Sequence, residues 1–194
     1  MSANASRWML LGAGITAIGL LAGCVGPENP RYHKPVPVEG AGSGLQFYAG
    51  GDDFVAGQPT SFGFQRAKDE GVRTVINLRA PDELPGANEQ KAVEALDMSY
   101  VNLPIDRTAL NDARVEEFLE VMRRAEKPVL IHCATANRAA GLWAIYITMA
   151  DGVPAEDSIA LASDAGLRPG AVKDFVTSYF RSKGKLPPED VKAA

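Results

Sequence analysis

Cys133 and Arg138 are the residues of this chain whose types and spacing suit chemistry on an anion. They lie in the run Pro-Val-Leu-Ile-His-Cys-Ala-Thr-Ala-Asn-Arg, residues 128–138, which an apolar stretch continues to position 150. Apolar β-formers, a short loop of small and polar residues, and an apolar run with helical spacing predict strand, tight loop and helix. Such a loop directs backbone N–H groups into one concavity at a helix N-terminus, where the helix dipole favours an anion. The same field stabilises a thiolate, which makes Cys133 the candidate nucleophile. The planar fork of Arg138 suits two oxygens of a phosphate or sulfate, and Ala134, Thr135, Ala136 and Asn137 form the cradle between them.

The elements that position this loop alternate along the chain. Short apolar runs at 45–48, 54–56, 74–78, 100–103 and 129–131 predict strands, the later ones buried on both faces. Helical patterns fill 60–70, closed by Gly71, then 87–96, 112–124, 138–149, 155–162 and 170–180. This alternation predicts an α/β fold, a mostly parallel sheet of about four to five strands flanked by helices. Ligands in such sheets bind beyond the carboxyl ends of the strands, where Cys133 emerges.

The 194 residues carry a formal net charge of −4, which excludes a basic footprint for nucleic acid. Residues 1–24 read as an export signal. Arg7 precedes an uncharged run from 8 to 23, short for a bilayer span, and the run ends in Leu-Ala-Gly-Cys. That ending resembles the bacterial lipobox, whose cysteine becomes the lipidated N-terminus, so Cys24 is the expected lipidation site and the chain an expected envelope lipoprotein facing the periplasm. Val25 after the cysteine slightly favours the outer over the inner membrane. Cys133 is then the one remaining thiol of the two cysteines, and no internal disulfide forms in the oxidising compartment. Residues 25–44, with four prolines and four glycines, read as a flexible linker, in which His33 is a solvated bystander. The domain spans 45–182, and a charged tail closes the chain at 183–194.

Val-Leu-Ile-His-Cys, a short loop, Arg and an apolar helix together resemble the signature of the cysteine-dependent protein tyrosine and dual-specificity phosphatases. Four motifs in order are similar to a bacterial branch, the beta-lactamase-hydrolase-like phosphatases: Ala56-Gly57-Gln58-Pro59, then Gly71 through Arg79 (Gly-Val-Arg-Thr-Val-Ile-Asn-Leu-Arg), then Leu103-Pro104-Ile105-Asp106, and His132 to Arg138. The likeness runs from residue 48 to 149. It implies a dual-specificity-phosphatase-like fold and two-step phosphoryl transfer, with Cys133 as nucleophile, Arg138 and the loop N–H groups of 134–138 holding oxygens, and no metal or organic cofactor. The substrate it implies is a phosphorylated small molecule or a phosphoprotein.

The resemblance also implies an acid for the leaving oxygen. Asp106 is favoured because it follows the strand at 100–103; Asp112 is the rival, although Asn111 and Asp112 read as a helix cap. Asp82 and Glu83 are substitutes in another loop. His132 is expected to orient the loop through hydrogen bonds, and Arg79 to pack or to line the pocket. Two departures stand out. Four residues separate Cys133 from Arg138 where these phosphatases have five, and the loop holds no glycine. Four is also the spacing of rhodanese-type sulfurtransferases, which would use a Cys133 persulfide. A third reading is a non-catalytic lipoprotein that binds an oxyanion. Without glycine, any loop residue with positive φ must carry a side chain, and Asn137 tolerates that best. Ala139 stands where many of these phosphatases place a Ser or Thr.

Overall fold

Strands that alternate two apolar faces need a helical layer on each side, and the computed structural model, which describes Tyr32, Val36–Pro37, Phe47–Gly50 and residues 52–83, 88–106 and 109–189, has both layers. The elements run β1 (Val36–Pro37), β2 (Phe47–Gly50), β3 (Asp53–Ala56), α1 (Ser61–Asp69), β4 (Thr74–Asn77), α2 (Glu89–Glu94), β5 (Ser99–Asn102), α3 (Asp112–Arg124), β6 (Val129–His132), α4 (Asn137–Met149), α5 (Ala155–Asp164) and α6 (Ala171–Ser182). One sheet has the order β1-β2-β3-β6-β4-β5. Its four strands β3, β6, β4 and β5 are parallel, and β2 and β1 extend it antiparallel.

The last strand in sequence lies between the first and second parallel ones. This insertion surrounds the end of β6 with the ends of β3 and β4, in register at Ala56↔His132 and Asn77↔His132. It brings the motif beginning at Ala56 and the motif ending at Arg79 to either side of Cys133. All four residues of β3, β4 and β6 are buried. Val55, Ile76, Val129 and Ile131 face one core with Phe118, Trp143 and Phe180 from α3, α4 and α6. Phe54, Ala56, Val75 and Leu130 face a second, with Phe64 and Ala67 from α1 and Val93 from α2. The period of two in the strands therefore sorts into two cores.

α4 is the central helix, buried at every position from Arg138 to Thr148, as befits a helix apolar on all sides. Gly141 lets α6 approach: a Cβ there would lie 2.8 Å from Val172 Cγ1 and 3.2 Å from Val176 Cγ2. Among the described residues no helix is long and apolar enough to cross a membrane.

Some expected boundaries shift. The stretch expected to be linker contributes β1, and Tyr32 is buried at 8% exposure, its ring 6.1 Å edge-on from Trp143 and its hydroxyl bonded to Asp151. An aromatic ring that finds a core to cover orders chain that composition alone assigns to a spacer. At the other end Leu186 packs on the core and Lys183 pairs with Asp112 at 3.2 Å, so residues 183–189 extend the domain into the expected tail. The expected export signal, Cys24 and His33 lie outside the described residues.

Candidate active site

α1, α2 and α3 each begin with a side-chain oxygen on an orphan N–H, supplied by Thr60, Asn88 and Asn111. α4 begins with Ala136, which has none to give. α5 and α6 also lack such a cap, but α4 alone starts beside a cysteine at a strand end. Among the described residues the backbone N–H groups of Ala134, Thr135, Asn137 and Arg138 have no acceptor, so the cradle keeps donors for an anion.

The loop turns at Ala136, with φ 66° and ψ −21°. Asn137, expected to take the positive φ, is instead the first residue of α4. Its side chain has other work, because Oδ1 accepts from the Arg168 N–H at 2.9 Å. From behind, Gly57 backs the loop: a Cβ there would lie 3.4 Å from Ala134 O. Gln58 N–H donates to Ala134 O at 3.2 Å, and Cys133 N–H to Ala56 O at 3.3 Å. Cys133 is buried, at 1% exposure, and Ala134 and Thr135 are exposed above it.

Arg138 is 5% exposed and held at one end of its fork. Nη1 donates to Glu83 Oε2 at 2.8 Å and to Ile105 O at 2.8 Å, and Nη2 to Glu83 Oε1 at 2.6 Å. Of the five guanidinium donors this leaves Nε–H and the outer proton of Nη2, which lie parallel on the side edge, a two-toothed site within reach of Cys133 and of an anion's oxygens. Burial disfavours the guanidinium charge, but the Glu83 carboxylate and Cys133 outweigh it and its pKa is raised. Glu83 sits in a single 3-10 turn, Pro81–Glu83, and is therefore a partner of Arg138 in this structure. Asp82 beside it is exposed.

Asp106 is exposed and follows Ile105, whose carbonyl Arg138 holds and whose N–H donates to Leu78 O at 3.0 Å. The chain reaches Asp106 directly from the wall of the cradle. Asp112 is the first residue of α3, with Asn111 as cap, and it pairs with Lys183.

His132 is fully buried, edge-on to Phe64 with ring centroids 6.1 Å apart. The expected hydrogen bonds from its ring to the loop are not made. Nε2 lies 3.2 Å from Glu89 Oε1, off the N–H direction, and Nδ1 has no hydrogen-bond partner among the described residues. The ring points away from the cradle because strand residues alternate faces.

Glu89 is the residue that sequence reasoning missed. Its Oε1 accepts from Asn77 Nδ2 at 2.9 Å and Tyr100 OH at 3.1 Å, and its Oε2 from Gln58 Nε2 at 2.6 Å and Arg79 Nη2 at 2.7 Å. Arg79 is thereby a structural partner, bonded through Nε to Asn77 Oδ1 at 3.2 Å as well. Burial opposes the charge of Glu89, but His132, Gln58 and Arg79 outweigh it and bring its pKa down to about 2. Burial and the same carboxylate raise the Tyr100 pKa, against the Asn77 hydrogen bond. In sequence, Glu89 after Asn88 is an ordinary acidic residue in a first helical turn; three donor-bearing motif residues with no stated acceptor were the signal for it.

A parallel sheet with an uncapped helix after a cysteine loop defines the cysteine-phosphatase fold, and solved structures agree. Over 81% of this chain and 95% of its own, TpbA of P. aeruginosa superposes with a TM-score of 0.63 at 18% identity. A second TpbA structure, a cysteine-to-serine form in complex with phosphotyrosine, matches at 0.58 and 16% identity, covering 79% and 98%. Kinase associated phosphatase with its catalytic site cysteine replaced by serine matches at 0.54 and 14%, covering 64% and 77%. The family is narrower. Residues 51–151, just over half the chain, match the phosphatase-like domain of the beta-lactamase hydrolase-like proteins, and the chain belongs to that family. The beta-lactamase hydrolase-like protein of Agrobacterium fabrum is 32% identical over 95 residues, and that of Xylella fastidiosa 30%. Each alignment covers 47% of this chain and 22% of the relative, so the chain spans about a fifth of the length of the curated relatives it matches.

Proposed function

We propose that this protein hydrolyses phosphate monoesters through a phosphocysteine intermediate on Cys133. The observation that carries this reading is the open side edge of Arg138, beside a cysteine and a loop whose N–H groups lack acceptors. The Cys133 thiolate attacks phosphorus, forming the S–P bond as the P–O bond to the leaving group breaks. Arg138 and the loop N–H groups hold the equatorial oxygens, where charge accumulates in the transition state. Asp106 gives its proton to the leaving oxygen; its carboxylate then takes a proton from water, which attacks phosphorus and breaks the S–P bond. Thiolate and protonated acid are restored and inorganic phosphate leaves.

The phosphotyrosine bound by TpbA supports a phosphorylated substrate here, a phosphoprotein or a phosphorylated small molecule. An envelope location through lipid on Cys24 belongs to the same proposal, supported by the uncharged run at 8–23 and the Leu-Ala-Gly-Cys ending; metabolic lipid labelling lost in Cys24→Ser would support it, and retained labelling would refute it. For the reaction, the test is hydrolysis of p-nitrophenyl phosphate. Vanadate-sensitive turnover that disappears in Cys133→Ser supports the reading. Sulfur transfer from thiosulfate to cyanide without phosphate release would replace it with the sulfurtransferase, and oxyanion binding without either activity with a non-catalytic binder.

A further inference from the structure

Glu89 is a buried carboxylate for which phosphoryl transfer as written has no use. Its side chain is 8% exposed, and an isolated carboxylate at that depth is costly. Four of its neighbours point donors at it, and a fifth, His132, lies against Oε1. Gln58 comes from the loop after β3, Asn77 and Arg79 from the end of β4, Tyr100 from β5, and His132 from the end of β6. Two oxygens with about four lone-pair sites thus collect donors from three of the four parallel strands or the loops that leave them, and the fourth sets the His132 ring beside them. A carboxylate suits this shell, whereas a carboxamide would turn an N–H₂ toward other donors.

The shell reaches Cys133 from two directions. His132 is its neighbour in the chain, and Gln58, held by Glu89 through its side chain, holds Ala134 O through its backbone N–H. We infer that Glu89 is a positioning residue, which fixes Cys133 within the cradle by holding Gln58, and through it Ala134 O, and by bracing the His132 ring behind it. This rests on the reading of Cys133 as the phosphatase nucleophile. Arg138 and the free loop N–H groups hold the anion from the other side, bonded to Glu83 and Ile105 and not to Glu89. Loss of Glu89 therefore affects the attacking sulfur more than the bound oxyanion, and misplacing a reacting atom by about 1 Å costs on the order of 100-fold.

The experiment compares full-length wild type with Glu89→Gln and Glu89→Asp at pH 7, reading kcat and KM on p-nitrophenyl phosphate, vanadate inhibition, and the rate at which iodoacetamide alkylates Cys133. Thermal unfolding is followed in parallel. In Glu89→Gln, kcat is expected to fall by about tenfold or more while KM and the vanadate constant stay within about threefold. The alkylation rate falls with kcat, and Glu89→Asp, which keeps the charge, recovers part of both. Alkylation needs no turnover, so an inactive wild type would sink the phosphatase reading while this rate still tests the positioning. A Glu89→Gln protein that melts earlier but keeps wild-type kcat and alkylation overturns the inference. Should Glu89→Gln not fold, Tyr100→Phe removes one donor from Oε1, and unchanged kcat and alkylation in that variant overturn it equally.

Discussion

Glu83 grips Arg138 end-on, with Oε1 2.6 Å from Nη2 and Oε2 2.8 Å from Nη1. The carboxylate takes the end of the fork and turns its side edge toward the cradle. With side chains 6% and 20% exposed the pair is screened less than a surface ion pair. Replacing Glu83 by Gln should therefore weaken vanadate inhibition by about tenfold, a loss of about 1.4 kcal/mol, as Arg138 loses its fixed orientation. A vanadate constant equal to that of wild type would mean that Ile105 O and packing alone hold the guanidinium.

The pH dependence of stability follows from Glu89. Its pKa is brought down from 4.5 to about 2, so its contribution is fully present above about pH 4.5 and is lost as pH falls through about 2. The shift corresponds to on the order of 3 kcal/mol. Urea unfolding at pH 7 and pH 3 should show the loss begin in this window, and Glu89→Gln should be less stable at pH 7 and flatter between the two. Identical pH slopes for both proteins would remove Glu89 as the source.

Much of this was legible in the sequence, because the signals were local. Cys133 and Arg138 share one loop, the strand at 129–131 is a run of β-formers, and Asn111 announces the start of α3. The insertion of β6 between β3 and β4 was not legible, since strand order is set by how whole layers pack. Nor was the role of Glu89, whose partners lie 10 to 43 positions away, from Arg79 to His132. Asn137 was the natural candidate for a left-handed residue, yet its side chain was taken by the Arg168 N–H, a contact made only when α5 and α6 fold back. Tyr32 escaped the same way: its proline-rich surroundings describe a spacer, and only the partner Trp143 makes it part of a core.

The strain at Ala136 can be removed. A left-handed alanine costs about 1 kcal/mol relative to glycine, part of which the larger unfolded-state entropy of glycine offsets. Ala136→Gly should raise stability by about 0.5 kcal/mol, seen as a small rise in the urea midpoint with an unchanged slope. A lower midpoint would show that the buried methyl group contributes more than the backbone conformation costs.

Asp106 and Asp112 separate cleanly. Asp106→Asn should lower kcat by about 100-fold or more on an alkyl phosphate, whose leaving group needs a proton, and much less on p-nitrophenyl phosphate. Asp112→Asn, at a helix start paired with Lys183, should leave both rates unchanged. Equal losses on both substrates in Asp106→Asn would argue against an acid role.

The central claim is that Cys133 attacks phosphorus, and a rapid-quench single turnover tests it most directly. Enzyme in excess over a phosphate-labelled aryl ester is stopped in acid within the first turnover and digested, and the labelled peptide is sequenced by mass spectrometry. The account predicts phosphate on Cys133, appearing and decaying at rates consistent with kcat, and absent in Cys133→Ser. Turnover with no label on Cys133 at any time, or with label on another residue, would contradict it.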